Sequence, residues 1–430
     1  MALATFLERL RNEERWKSCI ADWQVLPPVE ADYRPLPDDL DPRLTAALAS
    51  RGVHQLYSHQ AESLEAVRAG EHTVIVTPTA SGKTLCYNLP VLNRLLRDPE
   101  SRALYLFPTK ALSQDQVSEL TETIETLEVK IGAYTFDGDT PTSARSAVRN
   151  AGHIVVTNPD MLHAGILPHH TIWIRLFENL KYVVIDEIHH YRGVFGSHLA
   201  NLIRRLRRIS AFYGASPQFI CCSATIANPG ELAEKLIEAP VTLVDDNGAP
   251  SGEKHFLFYN PPVVNQELGI RASSVKQAGR LAASLLFQEI QSIVFARSRL
   301  RVEILTTYLK EAVRRRGGDP AKVRGYRGGY LPTERREIER GLRSGEVMAV
   351  VSTNALELGI DIGSLDVCIM CGYAGGISRT WQQAGRAGRR SATALIILVA
   401  SSAPLDQYII GHPDYFFDQT PESATINSNN

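Results

Sequence analysis

Nine short, continuous runs of apolar and β-branched residues, set apart by stretches of helical pattern, constrain what this chain can fold into. Thr73–Thr77, Ala103–Phe107, His153–Thr157, Tyr182–Asp186 and Gln218–Cys222 come first; Ser292–Ala296, Met348–Ser352, Val367–Cys371 and Ala394–Val399 follow. Because the runs do not alternate apolar with polar, they predict strands covered on both faces, the condition of a parallel sheet. Their alternation with helices predicts an α/β fold of two tandem parallel-sheet domains. Asp245-Asp-Asn-Gly-Ala-Pro-Ser-Gly252 is rich in turn formers and falls between the two sets. The expected boundaries are an N-terminal extension over 1–50, a first domain over 51–245, a linker over 246–275, a second domain over 276–419 and a frayed polar tail over 420–430.

A chain of 430 residues, 44% apolar and 22% charged, has the composition of a folded, non-repetitive protein. A formal charge of −1 neither requires nor forbids a nucleic-acid partner, since binding needs a basic face rather than a basic total. Ala394–Ala400 is far too short to span a bilayer. Glu8, Arg9 and Arg11 break any secretory leader pattern, so a soluble, cytoplasmic protein with no membrane partner is expected. Six cysteines in this length make no disulfide framework. Cys368 and Cys371 have metal-ligand spacing, but no second pair completes four ligands, so they read as buried small hydrophobes. In the extension, a helix over Phe6–Trp16 precedes a segment with Pro27, Pro28, Pro35 and Pro37 that is expected to wrap the first domain, and a helix over Pro42–Ala49 follows.

Three patterns carry chemistry. Ser81-Gly82-Lys83-Thr84 follows the first run across Pro78, Thr79 and Ala80, the order strand, small-residue loop, helix of a phosphate-binding loop. There, backbone N–H groups and the helix N-terminus hold a triphosphate, Lys83 neutralises its outer charge and Thr84 ligates Mg²⁺. The leading glycine of the general pattern is Thr77 in this chain. Asp186-Glu187-Ile188-His189 ends the fourth run: Asp186 is placed to hold Mg²⁺ through its water shell, and Glu187 to orient and deprotonate the attacking water. Gln382-Gln-Ala-Gly385-Arg386-Ala-Gly388-Arg389-Arg390 has a spacing that chance produces in about one chain in a few thousand. Beside Gln382, Arg386 and Arg389 sit three apart in the other domain, placed to stabilise charge on a transferring phosphoryl group when the domains close.

With these patterns in this order, the chain resembles the DExH-box helicases of the second helicase superfamily over nearly its whole length. The resemblance implies two RecA-like domains with an ATP cleft between them. Tyr57-Ser-His-Gln60 is similar to the family's adenine-reading segment, which implies nucleotide contacts by Tyr57 and Gln60 beside those of Thr79, Ala80, Ser81 and Gly82. Pro108-Thr109-Lys110, Asp137-Gly138-Asp139 and Thr157-Asn158-Pro159-Asp160 resemble segments that grip one strand's phosphates, implying that Thr109, Lys110, Thr157 and Asn158 touch nucleic acid. Ser223-Ala224-Thr225 resembles the motif that couples hydrolysis to strand separation. Phe295-Ala-Arg297-Ser298 and Ser352-Thr353-Asn354-Ala-Leu-Glu357-Leu-Gly359-Ile-Asp361 resemble the second domain's backbone-gripping and nucleotide-sensing motifs. They imply nucleic-acid contacts by Arg297, Ser352 and Thr353 and nucleotide contacts by Gly359 and Asp361.

More narrowly, the stretch from Asp186 to His198, and Gly372-Tyr-Ala-Gly-Gly376 leading into Trp381, are similar to the family that includes mitomycin repair factor A. Its members are RecQ-related DNA helicases of 3′→5′ polarity associated with DNA repair, and their phosphate loop commonly reads Pro-Thr-Ala-Ser-Gly-Lys-Thr, as it does here. They usually continue into a cysteine-bearing, metal-binding domain, so the chain is expected to be a fragment or a truncated form. The resemblance implies ATP and Mg²⁺ as cofactors, single-stranded or tailed duplex DNA and DNA-repair proteins as partners, and a nucleoid-associated place in the cytoplasm. Core motifs of this kind grip phosphates in either polymer, so an RNA helicase, an RNA-remodelling ATPase or an ATP-gated nucleic-acid clamp stays open.

Arg204-Arg205-Leu-Arg207-Arg208 makes a basic helical face that fits a solvated surface and a nucleic-acid or partner contact equally. About 20 Lys/Arg against about 14 Asp/Glu over 275–420 give the second domain a basic excess. Arg324, Tyr326, Arg327 and Tyr330 suit a stacking groove or, at least as well, a strand ending in a Gly-Gly turn. Trp381 is expected to pack, and His189 to hydrogen-bond across the cleft or to end its turn.

Overall fold

The computed structural model describes residues 2–359, 362–363, 365–388 and 392–429, and the chain divides into two units. One holds Ala31–Ala249 with Glu422–Asn430, the other Met1–Glu30 with Pro250–Pro421. In the first, seven strands lie in the order Thr242–Val244, Thr73–Val76, Gln218–Ser223, Leu180–Ile185, Arg102–Leu106, Ile154–Thr157, Ala133–Thr135. Every neighbouring pair is parallel. Successive side chains enter two cores, Val74, Leu104, Val183 and Ile185 on one face and Ile75, Tyr105, Val184 and Ile220 on the other. Both faces are covered, which is why the runs are apolar throughout.

The second unit's sheet runs Ile20–Leu26, Lys254–Tyr259, Ala394–Val399, Val367–Cys371, Ser292–Phe295, Ala349–Ser352, Val323–Tyr326. Its strands are parallel except for the antiparallel first pair. All nine runs are strands, with ends shifted by at most two residues. Ile20–Leu26, Ala133–Thr135, Thr242–Val244 and Val323–Tyr326 lie outside those runs; each is the terminal strand of its sheet, where a weaker apolar pattern suffices.

Three boundaries differ from expectation. Lys254–Tyr259, inside the expected linker, is an interior strand buried from His255 onward, its pattern hidden by the turn formers just before it. The first thirty residues, expected as part of a separate extension, join the second unit, Pro27 and Pro28 of the proline-rich segment included: helix Ala2–Asn12 buries Phe6 and Leu10, and Ile20–Leu26 pairs with Lys254–Tyr259. Only the proline-rich segment from Ala31 and helix Pro42–Ser50 belong to the first unit. The tail is docked, not frayed. Thr425 O accepts from Gly193 N at 2.7 Å, the Asn228 side chain bonds Ala424 N and O at 2.8 and 3.0 Å, and Ile426 packs on the first unit's core.

All six cysteines are buried free thiols, and among the described residues no helix is long and apolar enough to cross a membrane. The docked tail lies against the start of helix Gly193–Phe212, where a Cβ on Gly196 would stand 2.3 Å from Tyr191 O and 2.5 Å from Ile426 Cγ2. Gly196→Ala is therefore expected to destabilise the chain by about 1–3 kcal/mol, read as a lower urea midpoint.

Candidate functional site

The phosphate loop follows strand Thr73–Val76 and enters helix Lys83–Arg97 through Gly82, at φ 82°. A side chain there is excluded twice over, by the left-handed backbone and by Gln60 Nε2 lying 2.7 Å from any Cβ. Thr77, at the position of the missing glycine, bonds Ser81 Oγ at 2.6 Å through its buried hydroxyl and so ties the loop's two ends. Lys83 Nζ donates to Thr77 O at 2.6 Å and Pro78 O at 2.9 Å, and is in no ion pair among the described residues. Thr79 and Ala80 form the loop's outer turn, with Ala80 at φ 65°. Gln60 Oε1 accepts from Tyr57 N at 2.9 Å while its Nε2 donates to Gly82 O at 3.0 Å, so the expected adenine reader is braced by the phosphate loop. Tyr57 stacks on Tyr33 and His59, with centroids 5.4 and 5.9 Å away.

Strand Leu180–Ile185 delivers the acid pair. Asp186 N donates to Leu106 O at 3.0 Å, and Glu187 N to Asp186 Oδ1 at 2.8 Å. Glu187 sits at φ 54°, a strained setting for a non-glycine residue. Burial, then the neighbouring Glu187, pushes the Asp186 carboxyl up to about 7 against the pull of Lys83. A cation beside Asp186 would restore its charge, and the oxygen donors suit Mg²⁺. Thr84 Oγ1 donates to Gln116 Oε1 at 3.3 Å, leaving its lone pairs to accept a metal. Among the described residues no three His, Cys, Asp or Glu side chains form a metal cage.

His189 Nδ1 accepts from Ala224 N at 3.0 Å and lies 3.4 Å from Glu187 Oε2. Its bond is thus to Ser223-Ala224-Thr225 within the same unit, at the short turn Ile188–His190, in line with the second of the two expectations. Burial lowers its pKa to about 4, so the ring is neutral with its proton on Nε2.

The expected nucleic-acid residues divide. Thr109 accepts from Leu112 N at 3.3 Å, Asn158 from Met161 N at 2.9 Å and Thr353 from Ala355 N at 3.4 Å. Each caps a helical turn by accepting from one first-turn N–H group. Lys110 pairs with Asp139 at 2.9 Å. Thr157 and Ser352 depart from the expectation: both are buried, and Thr157 Oγ1 donates to Phe136 O at 2.6 Å, a tie between neighbouring strands. Arg297 Nη2 donates to Asp406 Oδ1 at 2.7 Å and to Tyr373 O at 2.5 Å, so the buried Asp406 fixes it.

In the second unit Glu357 is the organiser. Its carboxylate accepts from Arg379 Nε at 2.8 Å and Gln383 Nε2 at 3.1 Å, while its carbonyl accepts from Arg386 Nη2 at 2.8 Å. Arg386 and Gln382 are buried there, and Gly359 follows the turn Asn354–Leu356. Asp361 and Arg389 lie outside the described residues. Glu357 was legible as part of a motif but its clamping role was not, and neither Asp406 nor Gln116 stands in any pattern. Arg204 pairs with Glu238, Arg205 Nη1 donates to His163 Nδ1 at 2.9 Å and Arg207 Nη1 to Ile237 O at 2.6 Å, so three of the run's four arginines have partners within the fold. Arg327 and Tyr330 both bond Glu303 beside the turn at Gly329, φ 100°. Trp381 packs on Phe416 at 5.1 Å.

Two parallel α/β units, the first carrying a Gly-Lys-Thr loop and an Asp-Glu-x-His strand end, define the class: the chain belongs to the DExH-box helicases of the second superfamily. The DEAD/DEAH box helicase family matches residues 57–232 and the helicase conserved C-terminal domain residues 281–391. The chain is 59% identical over 424 residues to the uncharacterized ATP-dependent helicase YprA of Bacillus subtilis, covering 99% of this chain and 56% of that protein. It is 39% identical over 415 residues to the ATP-dependent helicase HRQ1 of Saccharomyces cerevisiae, covering 95% and 38%. The crystal structure of the DUF1998 helicase MrfA bound to DNA and AMPPNP matches with a TM-score of 0.96 at 58% identity, over 100% of this chain and 59% of that one. The chain thus resembles the mitomycin repair factor A family closely while spanning little more than half the length of such relatives.

Lys83→Ala is expected to weaken nucleotide binding at least about tenfold in a fluorescent-nucleotide titration. Asp186 keeps a proton that the unfolded chain releases; the stability this confers is present below its ordinary value of 3.8 and lost as pH rises through about 7. Asp186→Asn should therefore raise the nucleotide-free Tm more at about pH 8 than at about pH 5.

Proposed function

We propose that the chain is the ATP-driven motor core of a 3′→5′ DNA helicase or translocase that moves on single-stranded DNA in DNA repair. One observation carries this reading. The strand leading to the phosphate loop and the strand ending in Asp186 flank Gln218–Ser223, which leads into Ala224, the partner of His189. Phosphate cradle, acid pair and coupling motif therefore stand on three adjacent strands at the carboxyl edge of one sheet, where α/β folds bind ligands.

Lys83 and the first-turn N–H groups of its helix bind the outer phosphates of ATP. Thr84 and Asp186 are the residues that would hold Mg²⁺, which supplies positive charge to the phosphate oxygens when bound. Glu187 orients the attacking water and accepts its proton. Gln382, Arg386 and Arg389 are assigned to stabilising charge on the transferring group. His189 passes the state of the acid pair to Ala224. Thr109, Asn158 and Thr353, as helix caps, present N–H groups to backbone phosphates, a grip that ignores sequence and weakens with salt. The polarity, the repair role and a place at the nucleoid in the cytoplasm are carried over from the mitomycin repair factor A family, whose motifs the chain resembles.

Glu187→Gln is expected to keep nucleotide affinity while lowering DNA-stimulated ATP hydrolysis about 100-fold or more. Undiminished turnover refutes the base assignment. Stimulation by RNA of the same sequence that equals stimulation by DNA moves the substrate to RNA, and binding of single strands without stimulation in the native chain leaves a clamp.

A further inference from the structure

A cavity of about 300 Å³ opens in the first unit, apart from the phosphate loop and the acid pair. Pro159, Asp160 and His163 form one wall, directly after strand Ile154–Thr157. Phe195, His198 and Arg205 form another, from one flank of helix Gly193–Phe212. The size is that of a small-ligand site. Of the basic run, Arg204 and Arg207 are held by Glu238 and Ile237 O, whereas Arg205 belongs to the cavity.

The lining is wrong for a phosphate. Arg205 Nη1 lies 2.9 Å from His163 Nδ1, and since a guanidinium only donates, that nitrogen accepts and holds the cation in the wall. Asp160 sets one negative charge against it, which repels an anion. The rings of His163, Phe195 and His198, with the Arg205 guanidinium to donate and the Asp160 carboxylate to accept, suit a flat, neutral heteroaromatic with polar edges. The place fits as well, since the wall at Pro159 begins at the carboxyl end of a parallel strand, beside the N–H groups that Asn158 caps.

The cavity also touches the catalytic segment. Phe195 packs on Tyr191 with centroids 5.3 Å apart and on His190 at 6.2 Å. Tyr191 is fully buried with an unpartnered hydroxyl, and after burial the charges of Asp186, Glu187 and Asp160 all raise its pKa. Tyr191 thus joins Phe195 of the cavity wall to the turn that directly follows the acid pair.

We propose that this cavity is a subsite for one nucleobase of the bound single strand, stacked on Phe195 with its edge met by Arg205 and Asp160. This rests on the reading of the chain as a motor on single strands. A base seated there presses on Phe195 and, through Tyr191, on the segment that carries Glu187.

The test compares binding of this chain, by fluorescence anisotropy at low salt, to a labelled single strand and to the same strand with its bases replaced by abasic sugars. Base removal is expected to weaken the native chain about tenfold. Phe195→Ala, at a side chain that is 40% exposed, should weaken binding to the intact strand by a similar factor and erase most of the difference between strands. If that variant does not fold, Arg205→Gln supplies the same comparison. Equal native affinity for both strands overturns the subsite alone, as does a variant that keeps the full native preference. No binding to either strand overturns the motor reading and the subsite with it.

Discussion

The parallel sheet of the first unit is the constraint on which everything else rests. Parallel strands point their carboxyl ends to one edge, so every loop that leaves them emerges on the same side. Thr77–Lys83, Thr109, Asn158, Asp186–His189 and Ser223–Thr225 all leave that edge. Strand order then decides which loops are neighbours, and it sets the phosphate loop and the acid pair on either side of the strand that leads to Ala224. Residues more than a hundred positions apart become one site because main-chain ladders leave them no other place.

Within that frame, several polar groups at the phosphate loop and the acid pair are held by hydrogen bonds to the main chain. Lys83 rests on two carbonyls, Gln60 on an amide and a carbonyl, and His189 on the amide of Ala224. Lys83 is thus held by main-chain carbonyls, with no ion pair among the described residues. Asp186 is the counterpart, a carboxyl group kept in a place where ionisation costs free energy. The strained backbone at Glu187 belongs to the same device, since it turns the second carboxylate away from the strand line.

The second unit uses its charges differently. Arg297 is committed to the buried Asp406, and Arg379 to Glu357, so two loops that follow separate strands are clamped to their neighbours. Breaking one partner of such a pair strands the other in a poorly solvated place, which is why these contacts specify loop position more than they add stability. The chain passes between the units three times, after Glu30, Ala249 and Pro421, and its last described residues lie on the helix that follows the acid pair.

Continuous apolar runs located nine of the buried strands but not Lys254–Tyr259, and the Gly-Lys-Thr, Asp-Glu-x-His and Gly-Arg spacings pointed to the helicase class, because burial on both faces and phosphate binding each demand particular residues at short range. Short-range pattern could not reveal where Lys254–Tyr259 pairs, that residues before Glu30 complete the second sheet, or that the tail from Glu422 docks on the first unit. Nor could it tell a phosphate-gripping hydroxyl from the buried one of Thr157, or foresee that Asp406 would claim Arg297 and Ala224 would claim His189. Those choices are made by packing, in which a side chain's partner is whichever group the fold brings within reach once water is excluded, and that proximity is a property of the assembled chain rather than of any segment.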